Sequence, residues 1–232
     1  MKIFVAIPAY DGKVSICTAR SLFNESKLEP LTGHYLKVTY LPGCSLISHA
    51  RNILAQEFLD DPHADRMVFV DADVGWDAGL LTKLATYQHD VVAGIYRYKI
   101  EEEKYPMGFF TEVGETDLQN GLLTAAAIPM GFTAISRRAL VELKEKTPER
   151  AYDFIGKRYH AFFENPFRPA NGDMPASLIG EDTAFSHLWR SHGGKIWVDP
   201  NMDLIHAEGL KEFKGNLHKF MVKHGATETV PA

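Results

Sequence analysis

Cysteine is nearly absent from this chain of 232 residues, which carries only Cys17 and Cys44. Two sulfurs in apolar or small-residue surroundings exclude a disulfide-stapled scaffold and a cysteine-built zinc site, and both read as small buried hydrophobes. So little cysteine suits a reducing compartment. Long apolar runs are missing too. The stretch Ile3-Phe4-Val5-Ala6-Ile7 falls far short of the roughly 20 residues that span a bilayer. Pro8 and the polar Tyr10-Asp11-Gly12 turn follow it, so it does not read as a signal-peptide core either. A soluble, cytoplasmic protein is the expectation. Positive charge is neither abundant nor clustered: 25 Lys and Arg stand against 30 Asp and Glu, a net charge of −5. A nucleic-acid-binding footprint would need a basic face, and none is visible. No internal repeat or linker divides the chain.

What is present suits an ordinary globular enzyme, with 45% hydrophobic and 24% charged residues. A chain of this length buries a full core unaided, so one domain over 1–232 is expected. Lys2–Ile7 reads as a buried strand, Val14–Phe23 as a helix and Tyr35–Leu41 as a second strand closed by Pro42-Gly43. Ser45–Leu59 has helical spacing, with Ser45 as its cap and Leu46, Ile53, Leu54 and Phe58 near one face. Met67–Val70 is a short apolar strand, Asp77 is placed to cap a helix running to Tyr87, and Val91–Ile95 is the next strand. This alternation predicts a mostly parallel central sheet flanked by helices, an α/β/α sandwich.

Beyond Ile95 the alternation fades. Tyr96–Tyr105 reads as an exposed loop, and its Tyr96, Arg97, Tyr98 and Lys99 suit either a site-lining segment or a solvated one. Strands are expected at Leu122–Ile128 and Phe132–Ile135, and a helix from Arg138 to Lys146. Ala161–Ser177, with three prolines and several aromatics, suits a loop or lid. Glu181–His192 reads as a helix and Lys195–Val198 as a strand. Gly209–His224 reads as a terminal amphipathic helix striped by Leu210, Phe213, Leu217, Phe220 and Met221.

The chemistry concentrates at Asp71-Ala72-Asp73, directly after Val68-Phe69-Val70. Ligands of open α/β sheets bind outside the carboxyl ends of strands, which is where this pair falls. In an extended segment residues i and i+2 face the same way, so both carboxylates can converge on one object. Two hard anionic oxygens favour Mg²⁺ or Mn²⁺ over zinc. Asp is also common where a strand simply ends in a turn.

Other segments, taken in order, carry a resemblance. Val5 to Asp11 ends the first strand, and Ala50-Arg51-Asn52 lies on the helix before the aspartates. Pro129-Met130-Gly131-Phe132 precedes Ile135 to Leu140, Gly180-Glu181-Asp182 opens a helix, and Val198-Asp199-Pro200 precedes Leu204-Ile205-His206. In this order and spacing, over most of its length, the chain resembles the GT-A-fold glycosyltransferases, especially the family 2-like group.

The resemblance implies a nucleotide-sugar-binding half at 1–100 and an acceptor-binding half at 101–232. It implies that Pro8, Tyr10 and Asp11 form the nucleoside edge, with Asp where family 2 members usually have Asn. Arg51 would bind the nucleotide or its phosphates, although a solvated helix cation is the alternative from sequence. Asp71 would serve ribose or metal, Asp73 would be the principal metal ligand, and His206 a further metal or phosphate ligand. Asp182 would be the general base, with Glu181 beside it; acidic residues in a first helical turn also act simply as caps. The expected activity is transfer of one sugar, UDP-linked, to an acceptor hydroxyl, with Mn²⁺ or Mg²⁺ and with inversion. The Q-x-x-R-W pattern of processive synthases is absent, which favours single transfers. Two other classes compete: a non-catalytic nucleotide-sugar or carbohydrate-binding protein, and a D-x-D phosphohydrolase. The phosphohydrolase would place its aspartates on the first strand and follow them with Gly-Thr rather than Val74-Gly75.

Overall fold

The computed structural model describes residues 1–108, 116–117, 120–172 and 175–224. The first half builds β1 (Lys2–Pro8), α1 (Ile16–Ser26), the single turn α2 (Glu29–Thr32), β2 (Tyr35–Leu41), α3 (Ile47–Asp60), β3 (Arg66–Val70), β4 (Val74–Trp76), α4 (Leu80–Thr86) and β5 (Val91–Gly94). The second half adds β6 (Thr116–Asp117), β7 (Leu122–Thr124), β8 (Phe132–Ser136), α5 (Arg137–Lys146) and the hairpins β9–β10 (Ala151–Phe154, Lys157–His160) and β11–β12 (Phe167–Arg168, Ser177–Leu178). It closes with α6 (Glu181–Ser191), β13 (Ile196–Asp199), β14 (Asp203–Glu208), β15 (Lys211–Asn216) and α7 (Leu217–Lys223).

The central sheet has strand order β2-β1-β3-β8-β5-β13-β7-β6. β2, β1 and β3 pair in parallel, as do β5 and β13, while β8 and β7 run against their neighbours. Side-chain alternation covers both faces. Phe4, Ala6, Met67, Phe69, Val91, Ala93, Ile196 and Val198 pack with α3, α5 and α6. Ile3, Val5, Ile7, Val68, Val70, Val92 and Trp197 pack on the other side with α4, Trp76 and Leu204. Near-continuous apolar strands are the mark of a sheet buried on both faces, and the α/β/α expectation holds.

Several expected boundaries change for physical reasons. Asp77 does not cap α4 with its side chain. That role falls to Glu25 of α1, buried, whose carboxylate accepts the backbone N–H groups of Gly79 (2.8 Å) and Thr82 (2.9 Å) and the Trp76 indole N–H (3.1 Å). Nor does Ser45 cap α3, which starts at Ile47 without a side-chain cap and leaves Leu46 exposed. The expected terminal helix is half strand. Lys211–Asn216 pairs antiparallel with β14, and only Leu217–Lys223 is helical. Leu210, placed in an apolar stripe by helical spacing, is instead 89% exposed at the hairpin tip. The Leu122–Ile128 strand stops at Thr124. Cys17 is buried, Cys44 is half-buried, and both are free thiols.

β14 also pairs with β4, so β4, β14 and β15 form a second, three-stranded sheet. Asp71-Ala72-Asp73 is therefore the joint between two sheets.

Candidate active site

The joint is a turn, not an extended segment, because Val74 N–H returns to the Asp71 carbonyl at 3.1 Å. Extended-strand geometry consequently does not aim the two carboxylates at one object, and the expected i, i+2 convergence is corrected on that point. The turn is fixed on every side. Asp71 N–H donates to the Gly131 carbonyl (2.9 Å), Ala72 C=O accepts from Ser15 N–H (2.7 Å), and Asp73 C=O accepts from Ala207 N–H (2.8 Å). Thr18 adds hydroxyl bonds to the Ala72 and Val74 carbonyls.

Around it opens a cleft of about 660 Å³, within the range of small-ligand sites. It lies at the carboxyl ends of β1 and β3, and Pro8, Asp11, Arg51, Asp71, Asp73 and Glu181 all line it. Six residues marked in the sequence, spread over more than 170 positions, thus meet in one place. Tyr10 and Asp182 are not among its lining residues. Tyr10 is 64% exposed, and its carbonyl accepts the Gly43 N–H at 2.9 Å.

Arg51 organises the cleft. It is not a solvated helix cation: its side chain is 3% exposed, and its guanidinium donates Nη2–H to Asp71 Oδ1 (2.9 Å) and Nε–H to Glu181 Oε1 (3.2 Å). Burial opposes its charge, but the two carboxylates outweigh that and hold its pKa above the ordinary value. Nη1 is buried without a hydrogen-bond partner, although Arg51 lines the cleft.

Asp71 has both oxygens engaged, since Tyr96 OH donates to Oδ2 at 3.1 Å. Tyr96 is buried rather than part of an exposed loop, and burial together with the charge of Asp71 raises its phenol pKa well above ordinary. A Cβ on Gly131 would fall on the Asp71 carboxylate and the Tyr96 hydroxyl, so only glycine lets them meet there.

Asp73 faces different partners. Lys99 Nζ pairs with Oδ2, and His206 Nε2 lies 3.6 Å from Oδ1. His206 Nδ1 is 2.9 Å from the Arg97 carbonyl, which can only accept, so this nitrogen carries the proton and leaves a lone pair on Nε2. Burial lowers the His206 pKa and favours that neutral form. A carboxylate oxygen and an imidazole nitrogen at this separation suit two positions in the shell of a divalent cation. Among the described residues, no three His, Cys, Asp or Glu side chains gather into a complete metal set.

Glu181 and Asp182 open α6, where Gly180 is the cap residue. Asp182 Oδ1 accepts the Thr183 N–H at 2.6 Å. A helix N-terminus would lower its pKa, but burial first and the charge of Glu181 second raise it. Lys13 and Glu208, which no sequence pattern singled out, also line the cleft. Lys99, left open between site and solvent, belongs to the site.

No protein-family model matches the sequence, and no curated protein does. Solved structures do. A197 from STIV aligns with a TM-score of 0.54 at 19% identity, over 89% of this chain and 85% of that one. GalNAc-T7 with UDP, GalNAc and Mn²⁺ aligns at 15% identity and a TM-score of 0.49, over 90% of this chain but 44% of that one. S. aureus TarS 1-349 aligns at 16% identity and 0.47, over 85% of this chain and 58% of that one. Of the described residues, no helix is long and apolar enough to cross a membrane. With its mixed, doubly covered sheet and the aspartates at the carboxyl end of β3, the chain shares the fold of A197 from STIV.

Proposed function

We propose that this protein transfers a single sugar from a nucleoside-diphosphate sugar, UDP-linked in the first instance, to an acceptor hydroxyl. The observation that carries the reading is buried, doubly paired Arg51 in the wall of a cleft that also holds Asp71 and Asp73. A guanidinium held in place by two carboxylates in the wall of the cleft is suited to take a phosphate or carboxylate oxygen.

Charge balance supports a cation as well. Five carboxylates (Asp11, Asp71, Asp73, Glu181, Glu208) against three cations line the cleft. A diphosphate entering this negative surface needs positive charge brought with it. Asp73 and His206 would hold Mn²⁺ or Mg²⁺, with phosphate oxygens and water completing the shell. When bound, the metal would neutralise charge developing on the leaving diphosphate. Asp71, with both oxygens engaged, positions Arg51 and Tyr96 and remains within reach of the donor. Pro8 and Asp11 form the nucleoside edge, and exposed Tyr10 is free to cover the base.

The acceptor hydroxyl loses a proton as it attacks, and a carboxylate whose pKa is raised serves that need better than an ordinary one. Asp182 meets that condition and is assigned as base, with inversion as the outcome. Glu181 is the second reading, favoured by its place on the cleft wall.

The test is release of nucleoside diphosphate from a panel of nucleotide sugars with Mn²⁺. Turnover that disappears in Asp73→Ala supports the transferase. Tight donor binding with no turnover across a broad acceptor panel would make this a binding protein instead. Asp182→Asn should retain donor binding and lose transfer by about a hundredfold or more. Full activity in that variant, with loss in Glu181→Gln, would move the base to Glu181.

A further inference from the structure

We propose that Lys99 is a tethered counter-ion for Asp73, which keeps a divalent cation from binding well until a nucleoside diphosphate arrives with it. The inference rests on the reading of this cleft as a nucleoside-diphosphate site. The Lys99 ammonium sits on Asp73 Oδ2, while His206 Nε2 lies 3.6 Å from Oδ1. One oxygen of Asp73 therefore already meets a positive charge.

The loop that carries Lys99 is held in shape. The Arg97 guanidinium donates to the carbonyls of Ile100 (2.7 Å) and Glu101 (2.9 Å), and Tyr98 N–H closes on the Lys104 carbonyl at 2.8 Å. The Arg97 carbonyl in turn takes the His206 Nδ1 proton. Arg97 thus orients both groups that flank Asp73, one through its backbone and one through the loop it ties.

A metal ion placed between Asp73 and His206 would lie beside the resident ammonium, with much of the carboxylate's charge already answered. Bare metal is disfavoured there. A diphosphate reverses the balance, because its oxygens can complete the metal's shell and accept from the ammonium at once. Lys99 then exchanges a carboxylate partner for a phosphate partner, and metal and nucleotide bind as a positively coupled pair.

The test is a titration of Mn²⁺ followed by the EPR signal of the free ion, at low salt, with and without UDP or GDP. Wild type, Lys99→Arg and Lys99→Met are compared, with Lys99→Gln as a second neutral variant should the methionine protein not fold. Wild type and Lys99→Arg should take up Mn²⁺ weakly alone and about tenfold or more tightly with a nucleoside diphosphate. Lys99→Met should bind Mn²⁺ alone about tenfold or more tightly than wild type, and the enhancement by nucleotide should shrink. Equal affinity of wild type and the neutral variants for Mn²⁺ alone overturns the proposal. A gain in Lys99→Met with no nucleotide enhancement in any of the proteins upholds the counter-ion role and overturns the nucleotide site itself.

Discussion

Replacing Arg51 by methionine removes a buried cation that joins the two sides of the cleft, and its cost can be worked from the structure. Deleting one partner of a buried ion pair costs about 3–5 kcal/mol, because the remaining charge is left uncompensated. Here the stranded groups are Asp71, 25% exposed, and Glu181, 14% exposed, and Asp71 keeps the Tyr96 hydroxyl. Solvent relieves part of the penalty, so a loss of about 2–3 kcal/mol is expected. Methionine fills much of the vacated volume and retains the contact with Phe69, whose ring centre lies 5.3 Å from the guanidinium carbon. For a chain of this size the loss lowers Tm by about 4–12 °C. Urea unfolding followed by circular dichroism measures it, with an unchanged m value as the check that the denatured state is the same. Asp71→Asn should cost about 1–2 kcal/mol, and the double variant should fall short of the sum by about 1–2 kcal/mol. Arg51→Lys should recover less than half the loss, because one ammonium cannot span both carboxylates. If Arg51→Met lies within about 0.5 kcal/mol of wild type, or the pair is additive, the three-way ion cluster does not hold this cleft together.

Gly131→Ala drives a methyl into Asp71 and Tyr96, so it should cost about 1–3 kcal/mol in urea unfolding and weaken donor binding in a thermal-shift titration. Glu25→Ala takes the acceptor from the buried Trp76 indole N–H and from the half-buried amides of Gly79 and Thr82, and a loss of about 1–3 kcal/mol is expected, with faster hydrogen exchange at the start of α4. His160, 1% exposed and bonded to the Thr147 hydroxyl, has its pKa pushed down to about 4 by burial and then by Lys144 and Arg150. The unfolded chain binds a proton there at higher pH than the folded one. Its contribution is therefore complete above about pH 6.5 and is lost as pH falls toward 4, by about 2–3 kcal/mol. The pH dependence of unfolding in His160→Gln should be flatter than wild type by that amount, and parallel curves would refute the assignment.

The short-range pattern of residues was enough to place β1, β2, β3, β5 and the helices α1, α3 and α4 of the first hundred residues, because apolar runs alternating with helical spacing have few other solutions, but it missed the short Glu29–Thr32 turn and the Val74–Trp76 strand, whose partner lies at Leu204–His206. It also put Asp71 and Asp73 at a strand's carboxyl end. It misread Lys211–Asn216, where Phe213 and Leu217 fit a helical stripe equally well. Six backbone pairings with Asp203–Glu208 decide for strand, and a local window does not contain them. The cap of α4 was hidden for the same reason, since Glu25 stands more than fifty positions before the amides it receives. Arg51 shows the division most plainly. Spacing put it on a helix ahead of the aspartates, with solvent and nucleotide as equal prospects. Folding buried it between Asp71 and Glu181, 20 and 130 positions away, in the wall of the cleft. Sequence determines which residues share an element and a face. Which charges share a pocket depends on how the faces pack, and only the tertiary structure decides that.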